Sequence, residues 1–326
     1  MSTSRRDWLT ALAGSGLGWG LSVSAQTAYP HKPIRYIVPV AAGGGSDMVG
    51  RTVCERWARQ LGQSIVVDNQ GGGGGVIACQ NTARAAPDGY VLMQGYVATL
   101  GTSPATRRNL PYDPLRDFTP IGMIGSTPNV LVVNPQVPAP SVPELLAFLR
   151  GNPASSYGSS GQGSLTHLTM ELFKQQTQSE MTHVPYRGIA PAFTDLIAGQ
   201  TQAMFPGLAA ALPHIRSGRA RALAVTGPQR HPQLKDTPTL EELGLKGFDA
   251  VQWYGVVGPA GMPAPVVNLL NDSLKTVLSA PDLRDKLSVE AIEPQPMPPE
   301  AFAQYIRADL ERWSRLAKAR NIQLDS

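Results

Sequence analysis

Short apolar runs alternate with helical patterns over the first hundred residues, and this alternation restricts the possible folds more than any other feature of the sequence. Three runs have the length and apolar content of buried strands, namely Ile34–Pro39, Ser64–Asp68 and Val91–Gln94. Helical patterns lie between them, in Met48–Leu61 and in a segment that ends near Ala85. Alternating elements of this length predict a parallel sheet covered by helices on both faces.

A glycine-rich loop, Pro39–Asp47, joins the first predicted strand to the first predicted helix. Several backbone N–H groups and the positive end of the helix dipole meet at the start of such a helix, where a carboxylate is the natural ligand. A second loop, Tyr157–His167, is rich in glycine and serine and also precedes a predicted helix. Each loop can also be explained as a tight turn, with Asp47 as the N-cap of the first helix.

The length and composition of the chain indicate a globular protein of two domains. The chain has 326 residues, of which 42% are hydrophobic and 16% charged, so it is too apolar for a disordered chain. The net charge is +4, and no cluster of lysine and arginine is interleaved with aromatic residues. This pattern argues against nucleic acid as a partner.

The first 25 residues have the features of an export signal. Arg5 and Arg6 precede an apolar segment without charges, Leu9–Val23, which is short and rich in glycine for a membrane span. Small residues at positions 23–25 form a cleavage site. We therefore predict that residues 1–25 are a signal peptide and that the mature protein works in the periplasm. Ordinary secretion and the twin-arginine route are both compatible with this segment.

The chain contains two cysteines, Cys54 on the first predicted helix and Cys79 on the second. An oxidising compartment permits a disulfide between them. The bond is impossible if the two helices cover opposite faces of the sheet, so the sequence leaves both states open.

The motifs of common catalytic and cofactor sites are absent from the sequence. There is no Gly-Lys dipeptide of a Walker loop, no Gly-x-Gly-x-x-Gly, no Gly-x-Ser-x-Gly and no His-Glu-x-x-His. His167 and Glu171 are four positions apart on a predicted helix, but two ligands alone do not make a metal site. The sequence therefore predicts a protein that is not an enzyme and has no cofactor and no metal.

Two apolar runs that are far apart in sequence are candidates for crossings between two domains. Asn129–Asn134 is the first, and the segment up to Thr226 is the return. This interpretation predicts a first lobe of residues 29–128 and 250–326 and a second lobe of residues 129–249.

Motifs spread from about Tyr29 to Asp325 are similar to those of one protein family. They are Pro30–Arg35, Pro39–Asp47 with Arg51, Ala86–Tyr90, Leu110–Pro114, Pro128–Asn134, Tyr157–His167, His183–Gly188, Leu212–Ile215, Arg221–Thr226 and Pro259–Gly261. In this order they resemble the Bug-type periplasmic solute-binding receptors, the extracytoplasmic component of tripartite tricarboxylate transporters.

The resemblance implies an α/β fold of the type II-like periplasmic binding proteins. Such a protein has two lobes, with parallel-rich sheets covered by helices and a cleft between the lobes. The resemblance also implies a monomer that binds a small carboxylate and delivers it to integral-membrane transporter subunits. A periplasmic partner of a sensor kinase is the alternative, and a secreted enzyme is a third interpretation.

The two glycine loops and the turn near Gly188 are the segments that the resemblance places in the cleft. The residues expected to bind the ligand are Ala42, Gly43, Gly44, Gly45, Ser46, Asp47, Tyr96, Thr99, Ser159, Gly161, Gly163, Ser164, Thr166, His167, Gly188 and Pro206. Tyr96 is expected to add an aromatic wall. Pro206 stands where the family usually has a polar residue, which leaves the identity of the ligand open. We expect one loop from each lobe to contact the ligand, chiefly through backbone N–H groups in surface turns.

Overall fold

The computed structural model describes residues 29–324, so the predicted signal peptide over residues 1–25 lies outside the described part of the chain. The strands are β1 (Ile34–Val38), β2 (Ile65–Asn69), β3 (Val91–Tyr96), β4 (Phe118–Pro128), β5 (Val130–Val133), β6 (Ser156–Ser159), β7 (Thr182–Pro185), β8 (Ala203–Met204), β9 (Arg221–Val225), β10 (Val251–Pro259) and β11 (Glu293–Pro294). The helices are α1 (Gly45–Leu61), α2 (Val76–Ala83), α3 (Ser103–Thr106), α4 (Val142–Gly151), α5 (Leu165–Thr177), α6 (Ile189–Ile197), α7 (Leu208–Arg216), α8 (Ala264–Leu278), α9 (Pro281–Val289) and α10 (Pro299–Ala319).

The first sheet has six strands in the order β11-β4-β10-β3-β1-β2. β1 is parallel to β2 and β3, as the local alternation predicts. β10 lies antiparallel between β3 and β4. The sheet is therefore mixed rather than parallel. β10 comes from a distant segment of the chain, and the alternation of strands and helices in the first hundred residues does not determine its direction. We call this sheet, with the helices that pack on it, lobe one.

The second sheet has five strands in the order β7-β6-β8-β5-β9. β6 is parallel to β7 and β8, whereas β5 is antiparallel to β8 and β9. Helices α5 and α6 pack on β6, and α7 packs on β5. We call this sheet, with α4 to α7, lobe two.

Successive side chains of β1 pack on opposite faces of the first sheet. Tyr36 and Val38 belong to a hydrophobic cluster that contains Cys54 of α1, whereas Ile37 belongs to a second cluster that contains Cys79 of α2. The two cysteines are buried on opposite faces of the sheet, and both thiols are free. The arrangement therefore leaves no disulfide between them.

Two crossings of the chain join the lobes and are hydrogen-bonded to each other. The N–H of Asn129, between β4 and β5, donates to the hydroxyl of Thr226 at 2.9 Å. The N–H of Thr226, just after β9, donates to the carbonyl of Asn129 at 2.8 Å. The Thr226 hydroxyl also donates to the carbonyl of Ala250 at 2.7 Å, just before β10. The outgoing and returning crossings therefore form one hydrogen-bonded unit.

The last helix continues the hydrophobic core from lobe one into lobe two. Trp313 and Leu316 of α10 and Phe173 of α5 belong to one buried cluster. After α10, the N–H of Leu324 donates to the carbonyl of Thr106 at 2.7 Å, which ties the end of the described chain to α3. Within residues 29–324, no helix combines the length and the apolar content that a membrane crossing requires.

Candidate functional site

A cavity of about 450 Å³ opens between the lobes, within the usual size range of small-molecule sites. Its lining residues in lobe one are Gly45, Ser46, Thr127, Gln252, Tyr254, Val289 and Glu290. Its lining residues in lobe two are Ser160, Thr166, Ile189, Gly207, Ala209 and Ala210. Three of the residues expected from the sequence, Gly45, Ser46 and Thr166, are therefore among those that line the cavity.

The N-terminus of α1 forms part of the lobe-one wall. Gly44 precedes the helix with extended backbone angles, φ −91° and ψ 169°, and no side chain caps the helix. The first N–H groups of an α-helix have no partner within the helix, so they are available to a ligand or to water. The predicted residues Ala42, Gly43 and Gly44 are exposed and directly precede the lining residue Gly45.

Asp47 holds this loop from inside and does not line the cavity. The buried carboxylate accepts hydrogen bonds from the N–H of Gly43 at 2.9 Å, from Nδ2 of Asn69 at 2.8 Å and from Nε of Arg51 at 3.0 Å. Burial raises the pKa of the Asp47 carboxyl, but these donors outweigh burial and hold the pKa below its usual value. Asp47 is therefore ionised at neutral pH and fixes the loop at the start of α1.

A hydrogen-bonded loop precedes α5 on the opposite wall. The Ser164 hydroxyl caps α5 by accepting from the N–H of His167 at 3.3 Å and donates to the carbonyl of Gly161 at 2.6 Å. The Thr166 hydroxyl accepts from the N–H of Ser160 at 2.9 Å. Ser160 and Thr166 are thereby held at the cavity, while Ser164 and Gly161 support them.

Gly163 and His167 face away from the cavity. Gly163 is buried with φ 73°, and a Cβ added there would lie 2.9 Å from Oγ1 of Thr106 and 3.0 Å from Cδ1 of Leu324. Gly163 therefore lies against the lobe-one segments near α3 and is not in a surface turn, which corrects that part of the expectation. His167 is buried, and its Nδ1 accepts from the N–H of Gly163 at 3.1 Å.

Ser159, Thr99 and Pro206 are buried outside the cavity lining. The Ser159 hydroxyl lies 2.7 Å from Nε2 of His183. The Thr99 hydroxyl donates to the carbonyl of Tyr96 at 3.2 Å. The carbonyl of Pro206 accepts a backbone hydrogen bond from the first residue of β5 at 2.9 Å. These polar groups therefore form hydrogen bonds within the protein and do not face the cavity.

Several lining residues of lobe two follow a predicted residue by one position. The pairs are Ser159 and Ser160, Gly188 and Ile189, and Pro206 and Gly207. Gly188 has φ 109° and is the N-cap of α6, and Gly207 is the N-cap of α7. In these three pairs the residue that lines the cavity is therefore the one after the predicted residue, whereas Thr166, in the same loop as Ser160, lines it as predicted.

The lobe-one wall contains residues that the sequence analysis did not predict. Tyr254 lines the cavity, and the ring of the predicted Tyr96 stacks on it with 6.4 Å between ring centroids. Gln252 lies on the same face of β10 as Tyr254, opposite Thr127 of β4 in the register of the sheet. Because side chains two positions apart on a strand lie on the same face of the sheet, the sequence could have placed Gln252 and Tyr254 together. No sequence motif marks Glu290, which directly follows α9.

The positive charge at the cavity comes from helix N-termini rather than from side chains. Helices α1, α6 and α7 begin at or beside the cavity without a side-chain cap, and α5 begins there with Thr166 in its first turn. Among the described residues, none of the side chains that line the cavity is a lysine, arginine or histidine, and Glu290 is the one carboxylate. The positive ends of several helices at one point suit an anionic group.

No grouping suited to a metal ion is present in the described part of the chain. Between residues 29 and 324, no three histidine, cysteine, aspartate or glutamate side chains are close enough together to ligate one. His167 and Glu171, which are four positions apart, do not face a common site, because His167 stacks on His183 while Glu171 bonds Tyr157, Lys174 and Arg320.

Comparisons with known proteins identify the family of this chain. A family model described as "Tripartite tricarboxylate transporter family receptor" matches residues 49–322. Protein BugT of Bordetella pertussis (strain Tohama I) is 33% identical over 309 residues, which cover 94% of this chain and 94% of BugT.

Solved structures of similar proteins share the fold. A structure described as a periplasmic transporter is 41% identical with a TM-score of 0.79, and the match covers 91% of this chain and 100% of that one. The R. palustris protein Rpa4515 with adipate is 35% identical with a TM-score of 0.78, and the match covers 89% of this chain and 97% of Rpa4515. These likenesses confirm the expected α/β fold of a two-lobed periplasmic binding protein and the resemblance to Bug-type receptors. The chain therefore belongs to the family of tripartite tricarboxylate transporter receptors.

Proposed function

We propose that this protein is a receptor that captures a small organic anion, with at least one carboxylate, in the cleft between its lobes. The observation that carries the proposal is that α1, α5, α6 and α7 all begin at one cavity lined by both lobes. Helix N-termini bind carboxylates through backbone N–H groups and the helix dipole. The adipate in the structure of Rpa4515 supports a carboxylate ligand.

Binding through helix ends suits a receptor that must also release its ligand. No basic side chain among the described residues lines the cavity, so binding depends on the helix ends. Each helix end contributes about 1 kcal/mol to the binding free energy of an anion. The sum over several helix ends gives useful affinity without a deep cationic pocket.

The ligand is enclosed by closure of the two lobes. We assign residues 29–128 and 250–326 to lobe one and residues 129–249 to lobe two, with the hinge at the crossings near Asn129 and Thr226. The hydrogen bonds between these crossings support a common hinge. Closure brings both walls onto one ligand and makes the closed state the tighter binder.

The protein works as a monomer in the periplasm and passes its ligand to the membrane subunits of a tripartite tricarboxylate-type transporter. Membership of a receptor family of these transporters supports this partner and supports binding without catalysis. The features of an export signal in residues 1–25 support the location.

A thermal-shift screen of the mature protein against a library of mono-, di- and tricarboxylates tests ligand capture. A ligand at one hundred times its Kd stabilises the folded state by about 2.7 kcal/mol, which raises the melting temperature measurably. A library without any stabilising carboxylate would contradict the proposal. Multiple-turnover conversion of a stabilising ligand would contradict the non-catalytic role.

Uptake of the identified ligand in a strain that lacks this gene tests delivery to a transporter. We expect uptake to fall and to return when the gene is restored. Unchanged uptake, together with loss of a transcriptional response to the ligand, would favour the sensing role instead.

A further inference from the structure

The carboxylate of Glu290 lies at the start of α1. A Cβ added to Gly45, the first residue of α1, would lie 2.7 Å from Oε2 of Glu290. Glu290 is half-buried and lines the cavity beside Tyr254 and Val289. Within residues 29–324, its carboxylate has neither a hydrogen-bond donor nor an ion-pair partner. An unpaired negative charge therefore points into the ligand cleft from lobe one.

The two walls of the cavity consequently differ in charge. Three helices of lobe two, α5, α6 and α7, begin at the cavity, and none of the described lining residues on that wall is acidic. Lobe one presents one helix, α1, and Glu290 already supplies the negative charge that its N-terminus favours. A ligand carboxylate is attracted to the lobe-two wall and repelled by Glu290 at the lobe-one wall.

We propose that Glu290 makes this cleft selective for ligands that carry one carboxylate and, at their other end, an N–H donor. The carboxylate binds the helix N-termini of lobe two, and an ammonium or amide group donates to the Glu290 carboxylate on lobe one. A charge-assisted hydrogen bond to a carboxylate is stronger than a neutral one, so an ammonium end binds more tightly than an amide end. A second carboxylate at this end meets a like charge and binds weakly.

This inference rests on the proposed function, and a matched ligand series separates the two. The probes are straight chains of four, five and six carbons that share one terminal carboxylate and end in an ammonium, an amide, a methyl group or a second carboxylate. Adipate and 6-aminohexanoate are the six-carbon pair. Isothermal titration calorimetry is performed on the parent protein, on Glu290→Gln and on Glu311→Gln. Glu311 is exposed on α10 and does not line the cavity, so it controls for loss of one negative charge.

At the best chain length, the parent protein should bind the ammonium probe at least tenfold more tightly than the dicarboxylate. Glu290→Gln should lower the affinity for the ammonium probe at least tenfold and raise the affinity for the dicarboxylate at least threefold. The affinity for the methyl probe should not change. Glu311→Gln should behave as the parent does.

Two outcomes would overturn the assignment of Glu290 while leaving carboxylate capture intact. One is a parent protein that binds dicarboxylates as tightly as ammonium carboxylates. The other is a Glu290→Gln variant that changes all the probes by the same factor. Absence of binding by every probe in the series would contradict the proposed function together with this inference.

Discussion

Nε of Arg320, the residue after α10, lies 2.6 Å from Oε2 of Glu171 in α5. Since α10 packs against β4 and α3, this pair joins lobe one to lobe two. The other carboxylate oxygen of Glu171 accepts from the hydroxyl of Tyr157 and from Nζ of Lys174, both at 2.7 Å. Burial raises the pKa of the Glu171 carboxyl, but the bonds from Lys174, Tyr157 and Arg320 outweigh burial and hold it below its usual value. Glu171 is therefore a charged link between the lobes.

Replacing Glu171 with Gln should destabilise the fold, because the buried ammonium of Lys174 loses its nearest carboxylate. Lys174 keeps Glu180 at 3.3 Å, so we expect the free energy of unfolding to fall by about 2–4 kcal/mol. Urea unfolding followed by circular dichroism measures this change. Arg230→Gln, which breaks an exposed pair with Glu242, is the control and should cost about 0–1 kcal/mol. Equal losses in the two variants would contradict a buried charged link.

The stability of the protein should fall as the pH is lowered from 6.5 to 4. The rings of His167 and His183 stack with 3.8 Å between centroids, and burial lowers the pKa of each to about 4, with His183 lowering that of His167 further. Histidine in an unfolded chain has a pKa of about 6.5. The unfolded state therefore binds more protons in this range, so acidification favours unfolding.

His183→Gln should reduce this dependence by about 1 kcal/mol per pH unit near pH 5, because one of the two stacked histidines that bind protons on unfolding is removed. Urea titrations of the parent and the variant at pH 7, 6 and 5 give the slopes. The same substitution at the exposed His31 is the control. Parallel pH profiles for the parent and His183→Gln would show that the stacked pair does not titrate on unfolding.

Gly44→Val should weaken ligand binding without changing stability. Gly44 has extended backbone angles that valine adopts readily, and no atom lies within 4 Å of an added Cβ. The side chain would cover the start of α1, so we expect a loss of more than tenfold in affinity, or about 1.4 kcal/mol. Calorimetric titration with the carboxylate found by thermal shift measures it. Gly151→Val, in another open position but at the end of α4, should bind as the parent does.

Gly163→Val should lower the free energy of unfolding. The left-handed backbone of Gly163 disfavours valine, and the new side chain would collide with Thr106 and Leu324. We expect a loss of about 2–4 kcal/mol, of which about 1–3 kcal/mol is backbone strain. Gly218→Val, at a position with φ 68° and open surroundings, isolates the strain. If the two variants unfold at the same urea concentration, the contact with Thr106 and Leu324 contributes nothing.

Ligand binding should make the molecule more compact, because the cleft closes between lobes joined at Asn129 and Thr226. Small-angle X-ray scattering with and without a saturating carboxylate measures the radius of gyration. We expect a smaller radius with ligand. An unchanged scattering curve at saturation, verified by calorimetry on the same sample, would contradict closure.

Elements that are encoded by neighbouring residues could be predicted from the sequence. β1 was expected at Ile34–Pro39 and lies at Ile34–Val38, and α1 ends at Leu61 as expected. Gly62 ends α1 in the left-handed conformation, and the Ser164 hydroxyl caps α5. Such signals act within a few positions of the chain, so one sequence is enough to recognise them.

Contacts between distant segments could not be predicted in this way. Gly45 and Glu290 are separated by most of the chain and meet because α9 packs against α1. β10 lies antiparallel to β3 and β4 in the first sheet, and no local pattern in the sequence determines that direction. The predicted loops therefore indicated the region of the cavity, while much of its lobe-one wall came from segments without a motif.

The placement of the two native cysteines has a practical consequence for measuring motion in this protein. Cys54 and Cys79 are buried and free, and burial raises the pKa of both thiols, to about 12 for Cys79. Thiols that stay protonated and shielded from solvent react slowly with maleimide or methanethiosulfonate reagents. A pair of cysteines introduced at exposed sites, one on each lobe, would accept fluorophores or spin labels without prior removal of the native residues. The distance between the labels would then test whether the cleft closes on a ligand, with both native cysteines still in place.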